Sequence, residues 1–227
     1  MFPDFSTRSR RLERLDTGDY TDQEYRRWLT ETRLINNWLG DSRALRLAID
    51  EESFSGTVSV LDVGAGSGEL LRSARSILGK RGSFLVGAEL NPDAAAKIAG
   101  RDGGRLQAVQ CDALRLPFAD NSFDVVVSSL LLHHLDDDAA MTLIREMDRV
   151  AIKNFFIIDL HRHRAAYYLY RLFGPLFLQP FTVEDGSLSI LRSFKPGELR
   201  RLAESAGIRP IVRRRLFFRL VLSGEKA

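Results

Sequence analysis

The chain has 227 residues, 44% hydrophobic and 28% charged, which suits one large core with an added subregion and excludes a disordered or fibrous chain. Its 28 Arg and 5 Lys are interspersed with 30 acids for a net charge of +3, a mixture that argues against a nucleic-acid partner. Cys111 is the single cysteine, the N-terminus runs into Arg8, Arg10 and Arg11 instead of an apolar leader, and no apolar run is long enough to span a membrane. A cytoplasmic protein without a disulfide framework or transmembrane segment is therefore expected.

Residues 1–52 read as a helical preface to a domain spanning 53–227. Thr21 and Glu24 have capping-box spacing, and Trp28, Leu29, Ile35 and Trp38 follow at helical intervals. Gly40 should stop that helix, and Asp41 or Ser42 can cap the next, which carries Leu45, Leu47 and Ile49. From residue 57 strands and helices alternate: strands over 57–63, 83–88, 106–110, 123–129 and 155–160, with helices over 68–78, from Pro92, and over 136–150. This rhythm predicts a doubly wound, mostly parallel α/β sheet with right-handed crossovers. Residues 161–194 break it with an aromatic insertion punctuated by Gly174-Pro175. A helix beginning near Pro196 then ends at Gly207, and strands over 208–213 and 216–223 should form an antiparallel edge.

The stretch Val60-Leu61-Asp62-Val63-Gly64-Ala65-Gly66-Ser67-Gly68 ends a strand and opens a helix, where backbone can approach a ligand closely. Glu69 stands where a dinucleotide fingerprint needs glycine, and no Lys-Ser/Thr pair follows, which removes the P-loop reading. Glu89 then ends the second strand, Cys111-Asp112-Ala113 follows the third, and Leu116-Pro117-Phe118, Asn121-Ser122-Phe123-Asp124 and Leu132-His133-His134-Leu135 flank the fourth. This ordered set, over roughly 57–160, resembles class I S-adenosylmethionine-dependent methyltransferases of the ubiquinone/menaquinone methyltransferase-like branch. The resemblance implies S-adenosylmethionine as cofactor, with Asp62, Gly64, Ala65, Gly66 and Gly68 around its methionyl part. It puts Glu89 on the ribose hydroxyls, where two carboxylate oxygens can take two vicinal donors. Asp112 would meet the adenine amine, Leu90 and Ala113 the adenine faces, and Ser128 and Arg43 complete the expected contacts. Ile152-Lys153-Asn154 replaces the family's Pro-Gly-Gly turn before the fifth strand, which leaves the backbone path there open.

Methyl transfer from a sulfonium is an in-line displacement that depends on positioning, helped by a base when the nucleophile is a hydroxyl. All four histidines follow the fourth and fifth strands, at the carboxyl ends where open α/β sheets bind ligands. His134 is the first choice for base or orienting residue, then His161 and His133, whereas His163 between Arg162 and Arg164 reads as surface. No metal site is expected: Ser128-Ser129 stand where catechol-type enzymes need a carboxylate, and Asp136-Asp137-Asp138 suit a helix N-terminus. The expected acceptor is a small hydrophobic phenolic or polyketide-like hydroxyl, walled by the aromatic 165–181 segment. C-methylation of a quinol ring and a non-catalytic cofactor-binding partner are the alternatives. The alternative for that segment is packing on the sheet or between subunits of a homodimer, with contact of Arg162, Arg164 and Arg171 with a membrane surface the weaker third reading, and a monomer is compatible as well.

Overall fold

Strand propensity and turn glycines decide where each element starts and stops. The computed structural model describes residues 3–38, 41–50, 54, 56–79, 83–100 and 105–224, so Gly40 and the preface boundary at 52–53 lie outside the described residues. After an irregular N-terminal strap come α1 (Arg14–Thr17), α2 (Asp22–Trp38) and α3 (Asp41–Asp50). The expected capping box is formed: the Glu24 amide donates to Thr21 Oγ1 at 3.2 Å, and the Thr21 amide donates to Glu24 Oε2 at 2.8 Å. The sheet and its helices then alternate as β1 (Val58–Val63), α4 (Glu69–Leu78), β2 (Ser83–Glu89), α5 (Pro92–Gly100), β3 (Gln107–Gln110) and β4 (Phe123–Ser129). A one-turn 3-10 helix (Leu132–His134) leads to α6 (Asp137–Val150), whose N-cap Asp136 accepts from the Ala139 amide at 2.8 Å. β5 (Ala151–Leu160), α7 (Arg164–Phe173), α8 (Pro180–Arg192), α9 (Pro196–Ser205), β6 (Pro210–Arg215) and β7 (Arg219–Gly224) complete the chain.

Among the described residues the strands form one sheet in the order β3-β2-β1-β4-β5-β7-β6. β1 to β5 pair in parallel, while β7 runs antiparallel to β5 and β6. Period-2 side-chain alternation splits the core between the two sheet faces. Leu61, Val63, Val126, Phe155 and Ile157 join α6 and α9 residues, whereas Val58, Val60, Val125, Phe156 and Ile158 join α3, α4 and α5. Strand order reverses between β1 and β4, which opens a crevice at the strands' carboxyl ends.

One path left open is answered and one expectation corrected. Ile152-Lys153-Asn154 forms no turn, because α6 passes directly into β5 at Ala151 and these residues run in the strand. The last strand starts at Arg219 instead of residue 216, because Leu216, Phe217 and Phe218 make the hairpin tip. Among the described residues no helix is long and apolar enough to cross a membrane.

Candidate active site and cofactor pocket

The tip of β1 turns sharply because its glycines adopt left-handed backbone: φ is +72° at Gly64, +54° at Gly66 and +78° at Gly68. A Cβ on Gly64 would stand 2.8 Å from Leu131 Cδ2, so that turn closes against the loop after β4. At Gly66 the same position is open, with nothing within 4 Å, which leaves bare main chain facing outward. Glu89 holds this loop: its Oε2 accepts from the Gly66 amide at 2.7 Å and its Oε1 from the Asn91 amide at 2.9 Å. Each oxygen keeps a further lone pair for another donor.

Asp62 lies two residues before Gly64, 2% exposed, and its Oδ2 is buried without a hydrogen-bond partner. Burial first, and the nearby charge of Glu89 second, push its carboxyl up to about 8. An unpartnered buried carboxyl oxygen is costly unless a cation or donor completes it. The methionyl ammonium of S-adenosylmethionine is such a donor, so the residues present fit that cofactor. Asp112 is exposed on the next loop, its Oδ1 accepting from the Leu114 amide at 2.9 Å, and Leu90 projects an apolar side chain that is 67% exposed. Ser128 departs from its expected role: it is fully buried, and its hydroxyl donates to the Val63 carbonyl at 2.8 Å, tying β4 to β1 instead of facing a ligand.

The helical preface roofs this crevice. Arg33 on α2 bonds Glu69 at 2.9 Å, beside the glycine turn, whereas Arg43 is exposed on α3, next to the Ser42–Ser73 hydroxyl contact that joins α3 to α4. Tyr25 feels the charges of Glu89 and Asp93, although burial is the larger cause that raises its hydroxyl. Tyr20 and Tyr25 stack at 5.3 Å, Tyr20 and Phe181 at 5.5 Å, and Trp28 lies 6.0 Å from Tyr25. An aromatic wall therefore stands between α2 and α8. Of the 165–181 segment, Phe181 joins it and Tyr170 turns inward to donate to the Thr182 carbonyl at 2.8 Å. Tyr168, Leu169, Leu172, Phe173, Leu176 and Phe177 face outward instead, so most of the expected acceptor wall is exposed surface.

The histidines separate into different environments. His133 is 3% exposed, and its Nδ1 lies 2.7 Å from Asp159 Oδ1, while its amide donates to Asp159 Oδ2 at 2.9 Å. Burial acts to raise Asp159, but the charge and hydrogen bonds of His133 outweigh it and hold the carboxyl below its ordinary value. A tautomer with Nδ1–H directed at Asp159 would leave Nε2 its lone pair. That Nε2 lies 4.0 Å from Glu13 Oε1, a buried carboxyl oxygen with no hydrogen-bond partner. Burial drives Glu13 up to about 7 against the charge of His134, a Ser189 hydroxyl and the Arg192 charge.

His134 is partly exposed, and its Nδ1 meets Asp16 Oδ1 at 3.0 Å; Arg192 bonds Asp16 as well and donates to the His134 carbonyl at 2.9 Å. Glu13, His133 and His134 bring three ligand-type atoms within 4.8 Å of one another, but the Arg192 guanidinium, 3.7 Å from Glu13 Oε1, already supplies positive charge there. His161 is a weak base, pushed down to about 4 by burial first and then by His163, Arg214, Arg162 and Lys195. His163 caps α7 by accepting from the Ala165 amide at 3.1 Å.

Glu13 and Asp16 carry no sequence signal, because the strap is drawn over the site by two distant arginines, and Asp159 and Arg192 arrive there on β5 and α8. Arg8 donates to the Arg192 carbonyl at 2.7 Å and the Leu135 carbonyl at 2.8 Å. Arg162, 1% exposed, donates to the carbonyls of Phe5 at 3.2 Å and Ser193 at 2.6 Å and pairs with Glu198.

Comparison with known proteins agrees with this geometry. Residues 61–158 match the family described as a methyltransferase domain. The ubiquinone/menaquinone biosynthesis C-methyltransferase of Ectopseudomonas mendocina (strain ymp) is 39% identical over 38% of this chain and 36% of its own. The demethylmenaquinone methyltransferase of Bacillus velezensis is 25% identical over 82% of this chain and 79% of its own. The more identical match thus spans little more than a third of that relative's length. Among solved structures, an S-adenosylmethionine-dependent methyltransferase from Aquifex aeolicus superposes with a TM-score of 0.60 at 18% identity, over 82% of this chain and 89% of that one. The 1,6-didemethyltoxoflavin-N1-methyltransferase of Burkholderia thailandensis does so with a TM-score of 0.56 at 20% identity, over 92% and 91%. These two show the shared fold. Over residues 61–158 this chain therefore matches a methyltransferase domain and is similar to ubiquinone/menaquinone methyltransferases.

Proposed function

We propose that this chain methylates a small hydrophobic acceptor with a phenol- or quinol-type ring. The observation that carries this reading is the Asp159–His133 pair at the ends of β5 and β4, with the His133 Nε2 4.0 Å from Glu13 Oε1. Asp62 is level with Phe156 across β4, so Asp159 stands two strand spacings across and three residues further along, roughly 14 Å from Asp62. S-adenosylmethionine, when bound, supplies an electrophilic methyl on a sulfonium. Asp62 and the glycine turn would hold its methionyl part, Glu89 its ribose, and Asp112, Leu90 and Ala113 its adenine.

His133 is the residue this arrangement suits for taking the acceptor's hydroxyl proton at Nε2, with Asp159 fixing the tautomer and stabilising the imidazolium that forms. Glu13 can share or hold that proton. The wall of Tyr20, Tyr25, Trp28 and Phe181 would seat a flat ring and exclude water. A deprotonated phenol is nucleophilic at oxygen and at the adjacent ring carbons, so positioning selects the methylated atom. The name of one relative, a C-methyltransferase, favours carbon. The outward α7 face leaves that role to α2 and α8.

The test is a panel of lipophilic phenols and hydroquinones with methyl-labelled S-adenosylmethionine, followed by release of adenosylhomocysteine and NMR of the product. A new ring C–CH3 signal supports the reading, and an O–CH3 signal moves it to the hydroxyl. Binding of adenosylhomocysteine without turnover of any acceptor would instead support a non-catalytic cofactor-binding partner.

A further inference from the structure

Two segments that the methylation chemistry does not use meet on one side of the molecule. The β6–β7 hairpin ends in Leu216-Phe217-Phe218 between paired Arg215 and Arg219. Phe217 and Phe218 both take left-handed backbone, with φ of +56° and +55°, which is strained for bulky side chains. The turn nevertheless displays Leu216 and Phe217 to solvent, 62% and 52% exposed, where glycine or asparagine would form it without strain. Strained backbone that presents apolar side chains outward motivates a functional reading.

The tip adjoins α7. Phe218 stacks on His163, the α7 cap, at 5.0 Å, and the His161 amide donates to the Phe218 carbonyl at 2.9 Å. α7 and the turn after it continue the apolar surface with Leu169, Leu172, Phe173, Leu176 and Phe177, the last 77% exposed. Apolar surface of this extent on two adjoining elements marks an interaction site.

Charge identifies the partner. Residues 161–180 and 208–223 hold eight arginines and no acid, so the other 191 residues carry a net charge of −5. Of the eight, Arg162 and Arg219 are buried, Arg162 against Glu198, whereas Arg164, Arg171, Arg209 and Arg214 are exposed. Apolar side chains set among cations and free of acids, on one helix and one hairpin tip, match a bilayer surface bearing anionic headgroups. We propose that α7 and the β6–β7 tip together dock this chain on anionic lipid membranes, with Phe217 and the α7 leucines entering the headgroup boundary. The inference goes beyond the methylation reading and stands whichever acceptor is used.

The experiment measures flotation of the full chain with vesicles of pure phosphatidylcholine and of phosphatidylcholine with 30% phosphatidylglycerol, at low and high salt. Binding to the anionic vesicles alone, weakened by salt, is expected. The Leu216→Asn/Phe217→Gly variant should lose on the order of tenfold in partitioning while its melting temperature stays level or rises, because the strain at Phe217 is relieved. Leu172→Ser/Phe177→Ser should lose binding similarly, and Phe217→Trp should show a blue-shifted emission on anionic vesicles. The proposal fails if the chain ignores anionic vesicles at low salt, or if tip and helix variants bind as the parent does. It also fails if sedimentation shows these residues buried in a homodimer, or if nucleic acid competes the chain off the vesicles.

Discussion

Asp62 makes the cofactor assignment measurable through protons. With its carboxyl pushed up to about 8, about nine in ten free molecules hold a proton there at pH 7. An ammonium group against Oδ2 selects the ionised form, so binding must expel that proton, at a cost of roughly 1.4 kcal/mol at pH 7. The apparent Kd for adenosylhomocysteine should therefore fall about 50-fold from pH 6 to pH 8, with about 0.9 proton released at pH 7. Calorimetry in two buffers of different ionisation enthalpy counts the proton directly. Asp62→Asn should bind about 10- to 100-fold more weakly at pH 8, through loss of a charge-assisted hydrogen bond, and show a flat pH profile. Proton release near zero, or the same slope in the variant, would refute the placement of the amine at Asp62.

Other substitutions probe the rest of the molecule. His133→Asn should lower kcat by about 100- to 10,000-fold, while His134→Ala, which loses its contact with Asp16 and the ring contact with His133, should change kcat less than tenfold. Gly64→Ala forces a left-handed alanine against Leu131, and scanning calorimetry should find a melting temperature lower by on the order of 5 °C. Glu13 is raised to about 7 in the fold against about 4.3 when unfolded, so its stabilising contribution is complete below pH 4.3 and fades as pH rises to 7. Denaturant titrations of Glu13→Gln should thus lack roughly 3 kcal/mol of stability loss across that window. Arg162→Met unpins the strap and strands Glu198, which should cost about 2–4 kcal/mol and expose residues 3–13 to proteolysis.

What was legible in the sequence is what short-range physics specifies. The period-2 apolar runs around Val60, Val126 and Phe156 predict buried parallel strands because neighbouring side chains on a strand alternate faces. Gly64, Gly66 and Gly68 mark a turn that only glycine makes cheaply, and chain order alone puts Glu89 and Asp112 at strand ends. The acceptor side obeys a different rule. Asp159 reads as one polar residue at the end of an apolar strand until β4 and β5 pair and bring His133 onto it. Glu13 lies 120 residues from His133 and arrives through the hold of Arg8 and Arg162 on the strap. The aromatic segment gave composition without direction, since which face of α7 meets α8 is decided by packing, and that packing turned most of its apolar residues outward. The cofactor pocket is thus written in local backbone chemistry, while proton-handling groups and surface function come from contacts that exist only once the chain has closed on itself.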